Sequence, residues 1–416
     1  MGTYKDSLDQ VITQLEREQA IIRFGNHRFS IKPEQRIGRG GLGVVYQSAD
    51  GSDKERTALK LAVALPRVRN FFEERAIPVR CSQSGDEIQL QCTSPSGRKI
   101  SITGLDQNEA ELYRLSQAEQ DVGRICAGVP GTISLLESRY FLLRGEQESV
   151  LLLGLVMPFI KGKSLSDCLQ QEQLSLAEKL SIIAQVGETI KEYRRRNIVH
   201  RDIKPENIIV ENGKTTVLDY GLAQVLTADY ESITTMAGTP EYLAPEVAAG
   251  KVHRNTDMYS LGVMAYKVLT GELPYSYTIG EGSNGRTPLF HALYIQGLFH
   301  QQKNAEEFSH RVFEAIQAKW FLPPLDRLGR VKRIAESIAG ALYGRPEKRD
   351  TSLPRVARRY AEIFLPQDTP QASRRLPPER KTMIEEEAPS PLTTTIFDLT
   401  EAMRLTEPLV GEEYEA

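Results

Sequence analysis

The chain has 416 residues, of which 40% are hydrophobic and 26% charged, and this supplies apolar material for one large domain or two modest ones. Lys and Arg total 52 against 55 Asp and Glu, so the net charge of −3 argues against a surface built as a whole for nucleic acid or anionic lipid. The longest apolar run, residues 150–157, is far shorter than the ~20 residues of a membrane span, and the polar first residues do not match a secretory signal. We therefore expect a cytoplasmic protein with no membrane span and no nucleic-acid partner. Delivery into a host cell by a signal-free route is compatible with the same sequence.

Residues 1–30 predict a helix followed by a lead-in hairpin. Between residues 4 and 19, apolar residues recur at helical spacing, namely Leu8, Val11, Ile12 and Leu15. We expect this helix to pack on the domain that follows rather than to bind a partner. Short alternating segments at 21–24 and 28–31 flank Gly25-Asn26, which is a hairpin signal.

The next feature is a glycine-rich segment, IGRGGLGVVY, which contains the pattern Gly38-x-Gly40-x-x-Gly43-x-Val45. Glycine lets backbone N–H groups approach phosphate oxygens closely. A dinucleotide-binding fold uses a similar spacing, but there a helix follows, whereas the β-branched and aromatic residues here predict a loop between two strands. A glycine-rich hairpin without a ligand is the alternative for this segment taken alone.

A single lysine, Lys60, stands among apolar residues in the next predicted strand, residues 57–61. A lysine on a buried strand requires an anion as its partner, because an unpaired buried charge is costly. A solvated lysine at a sheet edge is the alternative.

The pattern then changes from strand to helix along the chain. Residues 67–104 contain two alternating segments, 87–91 and 99–102, which predict an inserted β-hairpin that either docks a partner or is inert. Residues 109–125 have a helical pattern, and long helical segments dominate from Leu174 onward. A strand-rich first part and a helix-rich second part predict a two-lobed α+β protein.

The block HRDIKPEN at residues 200–207, followed by Asp219-Tyr220-Gly221, carries a coherent chemistry. An aspartate can orient an attacking hydroxyl and accept its proton, an amide and a second carboxylate can hold magnesium on triphosphate oxygens, and a lysine can balance the developing charge. In the order HRDxKxxN and then DYG, the sequence resembles the protein kinase superfamily, of the eukaryotic-like (Hanks-type) serine/threonine class.

The resemblance extends from about residue 37 to about residue 364. GTPEYLAPE at 238–246 is similar to the end of the family's activation segment, and Asp257 begins a motif similar to the start of the long helix that follows. Arg349 stands where the family places the arginine that pairs with the glutamate of this segment, here Glu246. The resemblance implies a bilobal protein kinase fold over residues 31–365. A small β-rich N-lobe with one main helix and the inserted hairpin would end near residue 157, and a large helical C-lobe would span about 161–365.

The resemblance also implies ATP and Mg²⁺ as cofactors and assigns roles by position. Asp202 would be the catalytic base, with Lys204 near the γ-phosphate and Thr239 bracing both. Lys60 would bind the α- and β-phosphates, and Asn207 and Asp219 would hold magnesium. The ATP-binding set would comprise the glycine-rich loop, the adenine sandwich and the hinge between the lobes, namely Ile37, Gly38, Gly40, Gly43, Val45, Ala58, Met157, Pro158, Ile160 and Ile209. Within it, Met157 would be the gatekeeper, and Ile160 would supply the N–H and carbonyl that read the adenine edge.

Two positions depart from the family pattern. Tyr220 replaces phenylalanine and adds a hydroxyl that needs a partner if it is buried. The glutamate that pairs with Lys60 is expected 15 to 35 residues later, yet the best candidate, Glu119, lies 59 residues on. Glu111 is the alternative, because the same helical stripe accommodates it; we favour Glu119.

The segment before Thr239 contains candidate phosphorylation sites. The family's phosphate-sensing residue lies about four residues earlier, which indicates Thr235, with Thr234 and Ser232 as neighbours. Because Arg201 precedes the catalytic base, a phosphate at Thr235 would have a cation near it. We hypothesise that phosphorylation there regulates activity.

Residues 366–416 predict a disordered tail, since they hold 11 acidic and five basic residues and seven of the 22 prolines. The tail is either passive or a docking or regulatory segment.

The sequence as a whole predicts a serine/threonine protein kinase that acts on protein substrates. One alternative is a catalytically weak kinase-like scaffold that binds partners through the insertion and the tail. A small-molecule kinase is the other, although such relatives lack the GTPEYLAPE segment.

Overall fold

The computed structural model describes residues 2–24, 26–39, 43–48, 56–68, 70–75, 81–84, 87–93, 98–105, 107–144, 149–172, 174–233, 235–274, 305–320, 325–363 and 395–398. Its helices are α1 (Gly2–Arg17), α2 (Gln107–Ile125), α3 (Leu165–Gln170), α4 (Leu176–Arg195), α5 (Pro245–Ala248), α6 (Thr256–Thr270), α7 (Ala305–Lys319), α8 (Leu325–Ala341) and α9 (Leu353–Ile363).

The strands up to the insertion are β1 (Ile21–Phe24), β2 (His27–Ser30), β3 (Arg36–Arg39), β4 (Gly43–Gln47), β5 (Thr57–Val68), β6 (Asn70–Arg75), β7 (Cys81–Ser84), β8 (Glu87–Thr93) and β9 (Arg98–Leu105). The later strands are β10 (Glu137–Arg144), β11 (Ser149–Pro158), β12 (Lys163–Ser164), β13 (Ile198–Val199), β14 (Ile208–Glu211), β15 (Lys214–Val217), β16 (Gln224–Val225), β17 (Tyr230–Ser232), β18 (Thr235–Gly238), β19 (Lys251–His253) and β20 (Thr395–Asp398).

The first half of the protein is built around a five-stranded antiparallel sheet in the order β10-β11-β5-β4-β3. Its central strand, β5, is rich in β-branched and aliphatic residues, and it is hydrogen-bonded on both sides. Lys60 therefore has Val45 as its neighbour in β4 and Leu155 as its neighbour in β11. At Gly43 a Cβ atom would lie 2.7 Å from the carbonyl oxygen of Leu61, so only glycine permits this approach of β4 to β5. The strands that flank the glycine-rich loop are those predicted.

The predicted N-terminal helix is present as α1, and its apolar stripe packs on the sheet. Leu8, Val11, Ile12 and Leu15 are all buried in one cluster with side chains of β1, β2, β4 and β5. The predicted hairpin is present as β1 and β2. In addition, the carboxylate of Glu16 accepts hydrogen bonds from Arg36 Nη2 at 2.6 Å and from the Tyr46 hydroxyl at 2.8 Å. Helix α1 is thus fixed to the two strands that lead into and out of the glycine-rich loop.

The insertion is larger than the predicted hairpin. The two predicted strands correspond to β8 and β9, which pair antiparallel, but β6 and β7 add a strand on either side, in the order β6-β9-β8-β7. The weak alternation at 70–75 and 81–84 gave no separate strand signal, because cross-strand pairing rather than local pattern defines short strands.

The second half of the protein is helical around a single hydrophobic cluster. Helix α4 begins with a capping box, in which the Ser175 hydroxyl accepts from the Glu178 N–H and the Glu178 carboxylate accepts from the Ser175 N–H. Helix α6 is buried along nearly its whole length and ends at Gly271, whose φ of +85° requires glycine. Over the described part of the chain, none of the helices has both the length and the apolar character that crossing a bilayer would require.

Four residues of the predicted disordered tail, Thr395–Asp398, form a strand instead. They are paired antiparallel with β18, the strand that precedes Thr239. The other residues of 366–416 lie outside the described ranges, as do Gly40 and Thr234.

Candidate active site

Lys60 lies at the junction between the sheet, helix α2 and the DYG segment. Its ammonium nitrogen is 2.6 Å from Glu119 Oε1 and 2.5 Å from Asp219 Oδ1. Both Lys60 and Glu119 are buried, which fits the sequence expectation that this strand lysine requires anionic partners. Glu111, the alternative, lies eight residues earlier in the same helix, about 12 Å along its axis at 1.5 Å per residue.

Lys60 and Asp219 stabilise each other's charged forms, whereas burial opposes the charge of Glu119. Burial alone would lower the pKa of the Lys60 ammonium, but the carboxylates of Asp219 and Glu119 hold it above its usual value. Burial works to raise the pKa of Asp219, yet the charge of Lys60 and the hydrogen bonds from Lys60 and the Gly221 N–H lower it to about 2. Burial raises the pKa of Glu119 against the opposing charge of Lys60. The carboxylate of Asp219 is therefore ionised across the physiological range.

A second cluster joins the catalytic-loop residues to Thr239. Lys204 Nζ donates to Thr239 Oγ1 at 2.6 Å and lies 2.9 Å from Asp202 Oδ2. Thr239 Oγ1 in turn donates to Asp202 Oδ1 at 2.9 Å. Asn207 Nδ2 donates to the Asp202 backbone oxygen at 2.8 Å and to its Oδ2 at 2.7 Å. Three side chains, those of Lys204, Thr239 and Asn207, thus fix the orientation of the Asp202 carboxylate.

Helix α6 holds the backbone of the catalytic loop, residues 200–207, through the side chain of Asp257. Asp257, which is 2% exposed, accepts hydrogen bonds from the N–H groups of His200 (2.7 Å) and Arg201 (2.9 Å). Arg201 and Asp219 have φ values of +68° and +65°, a left-handed conformation that is unfavourable for these residue types. Two hydrogen bonds to one buried carboxylate stabilise that conformation at Arg201 and so position Asp202.

Tyr220 stands where the family pattern has phenylalanine, and its additional hydroxyl is hydrogen-bonded within the protein. Its ring is buried and lies edge-on to the rings of His200 and Tyr193. Its hydroxyl donates to the Ile133 carbonyl oxygen at 3.0 Å. The additional polar group therefore has a partner.

Most of the residues expected to bind adenine and phosphates lie on adjacent strands. Gly38 is paired with Val45 across β3 and β4, Ala58 is paired with Met157 across β5 and β11, and Pro158 is the last residue of β11. The remaining members are Ile37, which is exposed, Ile160, which follows β11, and Ile209 on β14. The pairings thus place Gly38, Val45, Ala58 and Met157 on neighbouring strands of one sheet, whereas Ile209 belongs to the separate sheet β12-β14-β15.

The expected structural pair is also in contact. Arg349 Nη1 and Nη2 donate to Glu246 Oε1 and Oε2 at 2.7 and 2.6 Å, and both side chains are buried. Of the phosphorylation candidates, Ser232 is exposed at the end of β17, and Thr235 begins β18.

The pairing of the tail strand with β18 was not anticipated from the sequence. A signal was present, since residues 393–397, TTTIF, form a β-branched and aromatic run after a proline. The surrounding charged and proline-rich composition outweighed it.

Known proteins with similar sequences are serine/threonine-protein kinases. The family model for the protein kinase domain matches residues 142–337. The serine/threonine-protein kinase pkn2 of Myxococcus xanthus is 38% identical over 130 residues, which are 29% of this chain and 16% of the relative. The serine/threonine-protein kinase PknB of Mycolicibacterium smegmatis is 35% identical over 127 residues, covering 29% of this chain and 20% of that protein. The serine/threonine-protein kinase PAK 1 of Mus musculus is 24% identical over 263 residues, covering 63% of this chain and 39% of the relative.

The chain thus spans well under half the length of these relatives. The matched region nevertheless contains the Asp202 cluster, Asp219, Glu246 and Asp257, and a protein kinase domain implies the bilobal α+β fold. Residues 142–337 therefore match a protein kinase domain, and the chain is similar to the eukaryotic-like, Hanks-type serine/threonine kinases.

Proposed function

We propose that this protein transfers the γ-phosphoryl group of ATP to serine or threonine hydroxyls of protein substrates. The observation that carries the proposal is the buried cluster in which Lys204, Thr239 and Asn207 all bind Asp202. A carboxylate held by three side chains is pre-organised to orient one acceptor hydroxyl, and orientation supplies much of the rate enhancement of phosphoryl transfer.

In the proposed reaction, the substrate hydroxyl donates a hydrogen bond to Asp202 and attacks the γ-phosphorus of ATP. The bond between that phosphorus and the β–γ bridging oxygen breaks, ADP leaves, and the hydroxyl proton passes to the Asp202 carboxylate. Lys204 lies within 2.9 Å of the same carboxylate, so its charge is available to the transferring phosphoryl group as negative charge develops there.

Two side chains have free oxygen atoms suited to a hard divalent cation. Both hydrogen bonds described for the Asn207 side chain use its nitrogen, which leaves the amide oxygen for a metal. Asp219 is ionised and uses Oδ1 for the described bonds to Lys60 and Gly221. Carboxylate and amide oxygens are ligands that Mg²⁺ prefers. When bound, Mg²⁺ would neutralise charge on the phosphate oxygens.

Lys60 is the proposed ligand of the α- and β-phosphates. Its ammonium stays charged because of Glu119 and Asp219, and the bond to Glu119 fixes its position relative to helix α2. Gly38 and Gly43 lie on β3 and β4, on either side of the glycine-rich loop, and have no side chains to keep backbone N–H groups from phosphate oxygens. Ala58, Val45, Met157 and Ile209 are the apolar residues proposed to contact adenine. The hinge contacts of Pro158 and Ile160 belong to the same proposal.

The proposed regulation is phosphorylation in the segment that contains Ser232, Thr234 and Thr235. What supports it is position, since this segment leads directly to Thr239 and its bond to Asp202. Mapping of phosphates on active protein tests it, and full activity without phosphate on these residues would contradict it.

The decisive test compares the parent protein with Asp202→Asn and with a matched control, Glu211→Gln, which changes a carboxylate at the end of β14 outside the cluster. With Mg²⁺, labelled ATP and a mixture of serine and threonine peptides, we expect Asp202→Asn to reduce phosphate incorporation by about 10²- to 10⁴-fold. Binding of a fluorescent ATP analogue should be nearly unchanged, because Asp202 does not hold the nucleotide. Equal rates for parent and Asp202→Asn would disprove the assignment.

A further inference from the structure

The tail strand β20 occupies the free edge of β18 in the activation segment. Residues Thr395–Asp398 run antiparallel to Thr235–Gly238, with Thr395 opposite Gly238 and Asp398 opposite Thr235. The two central register pairs join apolar residues, Ile396 with Ala237 and Phe397 with Met236. The contact is therefore a main-chain ladder with a defined direction and register.

The position of this ladder connects it to the catalytic cluster. Gly238 directly precedes Thr239, whose hydroxyl donates to Asp202 at 2.9 Å. Gly238 has a φ of +140°, and a Cβ atom there would lie 3.2 Å from the carbonyl oxygen of Arg201. The end of β18 thus lies against the catalytic loop, and Thr395 is paired with the residue adjacent to the site.

A free strand edge binds extended polypeptide through main-chain hydrogen bonds, largely independent of side chains. Under the proposed function, a protein segment that presents its hydroxyl to Asp202 comes close to this end of β18, because Gly238 precedes Thr239, which binds Asp202. A substrate segment that pairs with β18 would need the backbone groups that the tail strand uses, so the two could not be bound together.

We propose that Thr235–Gly238 is a docking edge for extended polypeptide and that its partner within the same chain is the C-terminal segment Thr395–Asp398, which excludes a protein substrate while it is bound. The exclusion of substrate rests on the proposed kinase function, whereas the docking itself does not.

The contact is suited to reversible binding. A two-stranded ribbon of four residues is marginally stable by itself. A chain of the length of residues 364–394 can span tens of ångströms at ~3.3 Å per residue, and a tether of that length gives the tail strand a high local concentration at the edge. Thr235 and Asp398 are register partners, so a phosphate on Thr235 would add negative charge next to an acidic residue of the tail strand and weaken the pairing.

The test uses the full chain with the double change Ile396→Pro/Phe397→Pro. Adjacent residues of an antiparallel strand direct their N–H groups alternately toward and away from the partner, so changing both removes whichever one pairs. The matched control is Ala402→Pro/Met403→Pro, which introduces the same two prolines in the tail outside β20.

Hydrogen exchange in the absence of nucleotide measures docking without reference to activity. We expect the amides of residues 235–238 to exchange faster in the double variant than in the parent, with the control variant like the parent. Unchanged exchange in the double variant would overturn the proposal whether or not the protein is an active kinase.

A labelled peptide of residues 391–402 added to the full chain measures competition. We expect it to bind the double variant about 3- to 10-fold more tightly than the parent or the control, since loss of even one hydrogen bond of the tethered strand frees the edge. Equal affinity for all three proteins would overturn the docking assignment.

Loss of the tail strand from β18 should change the KM for peptide substrate. The double variant should have a KM for peptide substrate several-fold below that of the parent at unchanged kcat. Faster exchange and tighter peptide binding with an unchanged KM would overturn the exclusion of substrate. Absence of any phosphate transfer in all three proteins would instead count against the proposed function, and the first two measurements would still decide the docking.

Discussion

Tyr220 shows how one additional hydroxyl is accommodated beside Asp219 without altering the charges of the site. Its hydroxyl donates to the Ile133 carbonyl oxygen at 3.0 Å, and the ring is buried. Tyr220→Phe keeps the ring but leaves that carbonyl without this donor, so we expect the free energy of unfolding to fall by about 1 kcal/mol. Urea denaturation measures the difference, with Tyr343→Phe, at an exposed tyrosine, as the control. Because Asp219 is untouched, the KM for ATP should not change; a large rise in KM would contradict this assignment.

His253 is a residue whose protonation should affect stability. Burial lowers the pKa of its imidazole below the usual value, and the charge of Arg349 acts in the same direction, whereas Glu246, Asp229 and Glu347 oppose it. In addition, its Nδ1 accepts a hydrogen bond from the Asn255 N–H at 3.1 Å, which requires that nitrogen to be unprotonated.

The sign of the pH effect follows from the direction of that shift. With a pKa below its unfolded value of ~6.5, the imidazole binds more protons in the unfolded state than in the folded state, so stability falls as the pH drops below about 6.5. We expect His253→Asn, which keeps an acceptor but does not titrate, to lose less stability than the parent between pH 7.5 and 5. Thermal denaturation across this range measures it, with the exposed His310→Asn as control. Parallel curves for the parent and His253→Asn would show that His253 makes no such contribution.

At the scale of elements, helix α1 stabilises the strands around the glycine-rich loop. Glu16 accepts from Arg36 and from the Tyr46 hydroxyl, and Tyr46 is completely buried. Glu16→Ala leaves the buried hydroxyl without this acceptor, and we expect a loss of about 1–3 kcal/mol in the free energy of unfolding.

Exposed Glu18→Ala, one residue beyond the end of helix α1, is the control and should have little effect. The combination Glu16→Ala/Tyr46→Phe should be less destabilised than the sum of the two single changes, because it removes both partners of one bond. Strict additivity in urea denaturation would show that the Glu16–Tyr46 bond contributes nothing.

The elements differ in how well the sequence predicts them. Helix α1, the strands beside the glycine-rich loop and the HRDIKPEN loop depend on periodicity or on neighbouring residues, and the sequence indicates them directly. The partner of Lys60 is harder to predict, because helical spacing accommodates Glu111 as well as Glu119. The packing of α2 against β5 brings Glu119 to Lys60. The strands β6, β7 and β20 depend on pairing with distant residues, which local pattern does not encode. Tyr220 is intermediate, since the need for a partner was predictable and Ile133 as the partner was not.

At the scale of the whole molecule, buried charges connect segments that are far apart in the sequence. Lys60 joins the sheet to α2 and to the DYG segment, and Asp257 joins α6 to the catalytic loop. Arg349 and Glu246, separated by 103 residues, join the end of the activation segment to the region before α9. The geometry of the site therefore depends on buried charges. Burying each charge costs free energy, which its ion pairs and hydrogen bonds must offset.

The Arg349–Glu246 pair gives the most direct test of this dependence. Arg349 has a fully buried side chain, donates to both oxygens of Glu246, and also donates to the carbonyl oxygens of Tyr343 and Asn255. Arg349→Met leaves the Glu246 carboxylate buried without its cation, and we expect a loss of about 3–5 kcal/mol in the free energy of unfolding. Arg349→Lys should recover only part of this, because an ammonium cannot bind both carboxylate oxygens with a planar fork.

The double variant Arg349→Met/Glu246→Met separates the cost of breaking the pair from the value of having it. It leaves no unpaired charge, so we expect it to be less destabilised than Arg349→Met alone, even though it lacks both partners. Exposed Arg345→Met, four residues earlier, is the control for the loss of a positive charge in this region. If the double variant is as unstable as the sum of the single changes, the pair is not coupled, and the hydrogen bonds of Arg349 to the backbone, rather than its charge, hold this end of the activation segment in place.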